Sequence, residues 1–164
     1  MTGVIASVTA LLLSVGILLV GHGLQLTLVP LFAANLGWAP EKIGYLGSAY
    51  FLGFVLGCLS VPRLVASVGH IRVFAVLVAS ATAALLALGV LENFSFWLCC
   101  RLVTGWAFAG LYMVIESWLN EKTSGEYRGS VLSVYTIITL LGICAGQMLI
   151  GLDIPRTQLI MLGA

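Results

Sequence analysis

Polar and charged positions fall in short clusters that separate long apolar runs. The charge-poor runs cover residues 5–33, 43–62, 73–91, 95–119 and 130–152, and a sixth starts at Thr157. A helix crosses the hydrocarbon core of a bilayer with roughly 20 residues, so each of the first five runs predicts a transmembrane helix. Pro62-Arg63, Glu92-Asn93, and Asp153 with Pro155 and Arg156 mark predicted ends. Pro30 is expected to bend the first helix toward its outer end. The sixth run, 157–164, has eight residues and is too short to span. The expectation is an all-α membrane protein of five complete helices plus the start of a sixth. Residues 1–164 would be an N-terminal fragment of a longer protein, cut within helix six, with a natural five-helix protein bearing a short tail as the alternative.

Composition agrees with the pattern. The chain is 61% hydrophobic and 8% charged, against about a quarter charged in an ordinary soluble domain. So few charges would not cover a soluble fold of 164 residues. A net charge of +1 gives no footing for nucleic acid. Cys58, Cys99, Cys100 and Cys144 all lie inside apolar runs without metal-type spacing, and read as small packing residues. Nothing calls for a metal or a cofactor. The N-terminus lacks a basic region, and its apolar run outlasts the hydrophobic segment of a signal peptide.

Orientation follows from the loop cations. One set of loops holds Arg63, Arg72, Lys122 and Arg128, and the opposite set holds Lys42 and Arg156. The richer set belongs in the cytoplasm, which puts the N-terminus there too. Trp38 and Trp97 then fall at the outer interface and Trp118 at the inner one. A short repeat links Ser48-Ala49-Tyr50 and Gly57 to Ser133-Val134-Tyr135 and Gly142, at an offset of 85 residues. Units of three helices invert on repetition, a feature of secondary transporters.

The polar residues inside the runs carry the candidate chemistry. An ionisable residue at mid-bilayer costs about 2.5–3.5 kcal/mol on insertion scales. Arg101 lies about 9 Å into the fourth helix. Three readings stand: snorkelling to the outer interface, facing a cavity that takes an anionic or polar substrate, or anchoring a neighbouring helix. Around the helix, Gly105, Tyr112 and Glu116 lie about 40°, 20° and 60° from Arg101. Leu102, Phe108 and Ile115 are assigned, less cleanly, to the opposite side. His22 and Gln25 share a face of the first helix. His22 reads either as a proton-coupling group or as a neutral imidazole bonded to a neighbouring helix. Gly142 and Gly146 form a GxxxG packing pair, with Gln147 beside them as a cavity candidate, and Gly53 and Gly57 are packing candidates in the second helix. At the cytoplasmic side, Gly69 permits a tight turn. Arg72 opens the third helix, and Glu116 is either its ionic partner or a merely interfacial carboxylate. Asn93-Phe94-Ser95 fits a glycosylation sequon.

At these residues the chain resembles the N-terminal half of a major facilitator superfamily transporter. The stretches GSAYFLGFVLG, VGHIRVF, CRLVTGWAFAG, IESWLNE and YRGSVLSVY look most like its YcaD-like branch. The resemblance implies a cavity lined mainly by the first and fourth helices. It matches Arg101 to the family's intramembrane arginine of helix four, linked to substrate binding or proton coupling, Gly69, Arg72 and Glu116 to the motif that gates the cytoplasmic side, and Arg128 to the usual start of helix five. Together with the polar residues read above, the expected cavity set is His22, Gln25, Arg101, Tyr112 and Gln147, and the expected cytoplasmic gate is Gly69, Arg72, Glu116 and Arg128. Pro62 and Ala66 stand where the gate motif usually has Gly and Asp, which leaves Arg72–Glu116 as its remaining ionic link. Gly146 is followed by Gln147 rather than proline, a departure from the drug-antiporter pattern.

The function expected is secondary transport of a small molecule across the inner membrane by alternating access, with protons as candidate co-substrate. Its partners would be that substrate, the lipid bilayer and a C-terminal half of the same chain. The alternative is a non-transporting assembly subunit or a dimerising half-size membrane protein. An enzyme is not expected, because neither HExxH nor GxSxG is present.

Overall fold

The computed structural model describes residues 2–123, 125, 127–151 and 156–163, with side chains for 12–123, 125, 127–151 and 158–163. The helices are α1 (Thr2–Asn35), α2 (Pro40–Val68), α3 (His70–Leu88), α4 (Phe94–Lys122), α5 (Arg128–Met148) and α6 (Arg156–Gly163); a 3-10 turn, Leu149–Gly151, extends α5. The first five are long and apolar enough to cross a membrane. Asp153 and Pro155, expected to end the fifth run, lie outside the described residues.

The largest boundary difference is at α2. It does not stop at Pro62 but runs on to Val68. A proline inside a helix removes one backbone hydrogen bond and crowds the preceding turn, yet here the helix absorbs it. Gly69 is what stops it. Its φ of 87° lies where side-chain-bearing residues are strained, and its N–H caps the Val65 carbonyl at 2.9 Å. No atom lies within 4 Å of where its Cβ would be, so backbone conformation, not crowding, calls for glycine. At the start of α4 the Asn93 side chain accepts a hydrogen bond from the Phe96 N–H at 3.1 Å. Within its sequon pattern, Asn93 therefore works as a helix N-cap.

Two glycine seams organise the bundle. α2 packs along α4, where Gly53 meets the Leu102 carbonyl, Gly57 faces Trp106 and Ala109, and Gly105 meets the Tyr50 carbonyl. α1 packs along α5, where Gly23 meets the Ile143 carbonyl, Gly142 faces Leu19, and Gly146 meets the Val20 carbonyl. Helices associate in lipid through such close backbone approach, because hydrocarbon offers no hydrophobic drive. Each seam joins the second helix of one three-helix unit to the first helix of the other, which is the pairing an inverted repeat predicts. α3 covers α4 from the far side. Trp106 Nε1 adds a bond across the first seam, donating to Ser60 Oγ at 2.9 Å.

The outer surface is apolar, with Ile17 77%, Phe51 67% and Leu141 65% exposed. Water would not wet such a surface without cost, and a bilayer or another helical unit would cover it. Two sequence expectations change. Trp97 does not present its ring outward; it is buried beside Trp38, with centroids 4.8 Å apart, and donates to the Leu91 carbonyl at 2.7 Å. Among the cysteines only Cys100 is packed inside, while Cys58, Cys99 and Cys144 are exposed on the surface.

Candidate functional site

The Gly105–Tyr50 contact sets the site. It presses the α2 backbone onto α4 one turn away from Arg101, so the guanidinium reaches the Tyr50 ring, with Cζ 4.5 Å from the centroid. Arg101 is only 3% exposed. It therefore neither snorkels to the headgroups nor points among acyl chains. Its Nε and Nη1 have no hydrogen-bond partner among the described residues. A buried cation supported by an aromatic face alone is incompletely compensated.

His22 projects from α1 into the same place. Its Nδ1 lies 3.0 Å from the Tyr112 hydroxyl and its Nε2 lies 3.0 Å from the Tyr50 hydroxyl. Its ring stacks on Phe108, with centroids 3.8 Å apart and an interplanar angle of 18°. A neutral imidazole donates at one nitrogen and accepts at the other, while an imidazolium donates at both. Two hydroxyls, each able to donate or accept, satisfy either form.

The structure thus joins three of the sequence candidates, His22, Arg101 and Tyr112, and adds two that sequence reasoning passed over. Tyr50 had served only as a repeat marker. The missed signal was its spacing: Gly53 and Gly57 lie three and seven residues on, on the same face of α2. Phe108 was assigned to the side opposite Arg101, yet it shares the His22 cluster. Seven residues is close to two full turns, which returns it to the Arg101 face. α4 is moreover buried nearly all round, so it has no broad lipid side for Phe108 to occupy.

Other candidates lie elsewhere. Gln25 is buried but lines an adjoining cavity of about 310 Å³ between α1, α3, α4 and α6, which shares Phe108 with the His22 cluster, and its Nε2 is unpartnered among the described residues. Gln147 is exposed on α5 beside the buried Gly146. At the expected gate, Arg72 lines an apolar groove with Leu64, Val68 and Trp106 and makes no ion pair with Glu116. Glu116 faces Tyr112 and Tyr135 instead. The reason is helix phase: Glu116 turns toward α5, away from the α2–α3 junction. The junction is tied by His70, whose Nε2 lies 3.0 Å from Ser117 Oγ and 3.5 Å from Glu121 Oε1. Arg128 donates from Nη2 to the Asn120 carbonyl at 3.4 Å, linking the start of α5 to the end of α4.

Comparison with known proteins agrees with this architecture. The model of the Major Facilitator Superfamily matches residues 11–154. The chain is 30% identical over 142 residues to a protein named Uncharacterized MFS-type transporter Ent638_1421, from Enterobacter sp. (strain 638), covering 85% of this chain and 37% of that protein. It is 30% identical over 124 residues to Uncharacterized MFS-type transporter YcaD of Salmonella typhimurium, covering 76% of this chain and 32% of that protein. The chain thus spans about a third of the length of these curated relatives. With five apolar spans, a glycine-seamed bundle and this match, the chain is a multi-pass membrane protein that belongs to the Major Facilitator Superfamily, a family of transporters and not of enzymes.

Proposed function

We propose that this chain supplies half of the substrate pathway of a secondary transporter, in which two helical halves rock around a site near the bilayer midplane. Arg101, His22, Tyr50 and Tyr112 are the substrate and coupling contacts on this side. The N-terminus lies in the cytoplasm, and the membrane is the bacterial inner membrane, in keeping with the bacterial relatives. Gly69, Arg72, Glu116 and Arg128 remain the cytoplasmic gating set, with the Arg72–Glu116 contact made in a different conformation from the present one.

The observation that carries this reading is the buried guanidinium with open donors. A cation held inside a helical bundle without a counter-charge marks an intramembrane functional site. The test is Arg101→Ala in the intact protein, with uptake and efflux of a labelled panel of small carboxylates, amines and sugars. Transport is expected to fall to background while membrane insertion is unchanged. Undiminished flux in the variant would remove Arg101 from the pathway.

A further inference from the structure

We propose that the substrate carries one carboxylate, bound at Arg101, and that its binding is coupled to uptake of one proton at His22 through their shared contact with Tyr50. This rests on the transport reading and gives it a substrate class.

The geometry is a three-part contact. The Arg101 guanidinium lies on the Tyr50 ring, and the hydroxyl of that same ring bonds His22 Nε2. Both the guanidinium and the imidazole pack against this one side chain, which places them within about 11 Å of each other. The groups facing His22 can be named helix by helix. α2 offers Tyr50, and α4 offers Arg101, Tyr112 and the apolar Phe108. Beyond Tyr112 lie Glu116 and, on α5, Tyr135. From α3 and α6, the described residues that line the cavity beside this part of α1 are apolar or uncharged, Phe74, Thr82 and Leu162 among them, and none is titratable. Among the described residues, Arg101 is therefore the charged group that shares a packing partner with His22.

Two positive charges this close in a bundle oppose each other, so an unneutralised Arg101 disfavours imidazolium. A bound anion cancels that opposition. At such a separation, with the effective dielectric typical of proteins, the change in proton affinity is about tenfold. Linkage makes the effect reciprocal: protonated His22 raises anion affinity by the same factor. The proton arrives from water on whichever imidazole nitrogen was the acceptor. Both nitrogens then donate to the Tyr50 and Tyr112 hydroxyls, and no hydrogen bond is lost. The class of anion follows from the site. A lone guanidinium with unpartnered Nε and Nη1 balances one negative charge, and its planar fork suits a carboxylate.

The test is a pH titration of His22 by 15N-histidine NMR on the intact protein in nanodiscs, with the signal assigned by its loss in His22→Gln. Sodium acetate is the probe, and sodium chloride at equal ionic strength is the control. Acetate is expected to raise the proton affinity of His22 about tenfold in the wild type. Arg101→Gln should show the raised affinity without acetate and no response to it, and Arg101→Lys should keep the response. A wild-type His22 that ignores acetate overturns the proposal, as does an Arg101→Gln protein that titrates like wild type. Chloride as effective as acetate overturns the choice of carboxylate. The transport reading fails separately, through unchanged flux in Arg101→Ala, and that result would leave the titration shift measurable.

Discussion

The chain has two histidines, and they hold their helices together in opposite ways. His22 is 4% exposed, lies between two tyrosine hydroxyls and a phenylalanine ring, and has no carboxylate bonded to it among the described residues. His70 sits at the α2–α3 junction, a quarter exposed, between the Ser117 hydroxyl and a Glu121 carboxylate that is itself 56% exposed. Each site depends on a glycine: Gly105 pulls Tyr50 onto α4, and Gly69 turns the chain immediately before His70. The difference is solvent. Where water is excluded, each polar atom needs a partner, and losing one is expensive. Where water reaches, the same kind of contact is screened and readily replaced. The buried contacts are therefore costly to break, and the exposed ones open at little cost.

The comparison breaks most visibly at Gly105. A methyl there would run into the Tyr50 carbonyl, where backbone and not a flexible side chain must give way. Gly105→Ala is expected to cost about 3 kcal/mol, the upper part of the range for overpacking. It should also separate Tyr50 from His22. Unfolding in mixed detergent micelles would measure the cost, and a change under 1 kcal/mol would mean that the seam is looser than described.

A smaller effect is expected for Tyr112→Phe. It leaves His22 Nδ1 without its partner while keeping the ring. The cost should be about 1–2 kcal/mol, the penalty for an orphaned buried polar atom. The same unfolding assay reads it, and a neutral result would show that water already reaches the imidazole.

The smallest change is expected at the junction. Glu121→Gln should lower stability by less than about 1 kcal/mol, and the difference should vanish in high salt. A salt-independent loss as large as that for Tyr112→Phe would erase the contrast between the two histidines.

How much of this was legible varies by residue. The five spans follow from apolar runs long enough, at about 20 residues or more, to cross the hydrocarbon core, and helix phase places His22 with Gln25 and Arg101 with Tyr112. Phe108, expected opposite Arg101, shares its face, and α2 continues past Pro62 to Val68. Gln25 and Gln147 illustrate a different limit. Both are polar residues in apolar runs, yet one lines an adjoining cavity and the other lies on the surface. Polarity marks a residue as costly in lipid without saying which neighbour relieves the cost.

From the sequence alone came the membrane class, the number of spans and the small residues on which the helices close, because hydropathy and side-chain size are local properties. Only the tertiary structure decided that Tyr50 stands between Arg101 and His22. His22 is separated from Tyr50 by 28 residues and from Tyr112 by 90. A helix fixes which of its own residues share a face, while the partner that face meets is chosen by backbone approach at glycines on other helices.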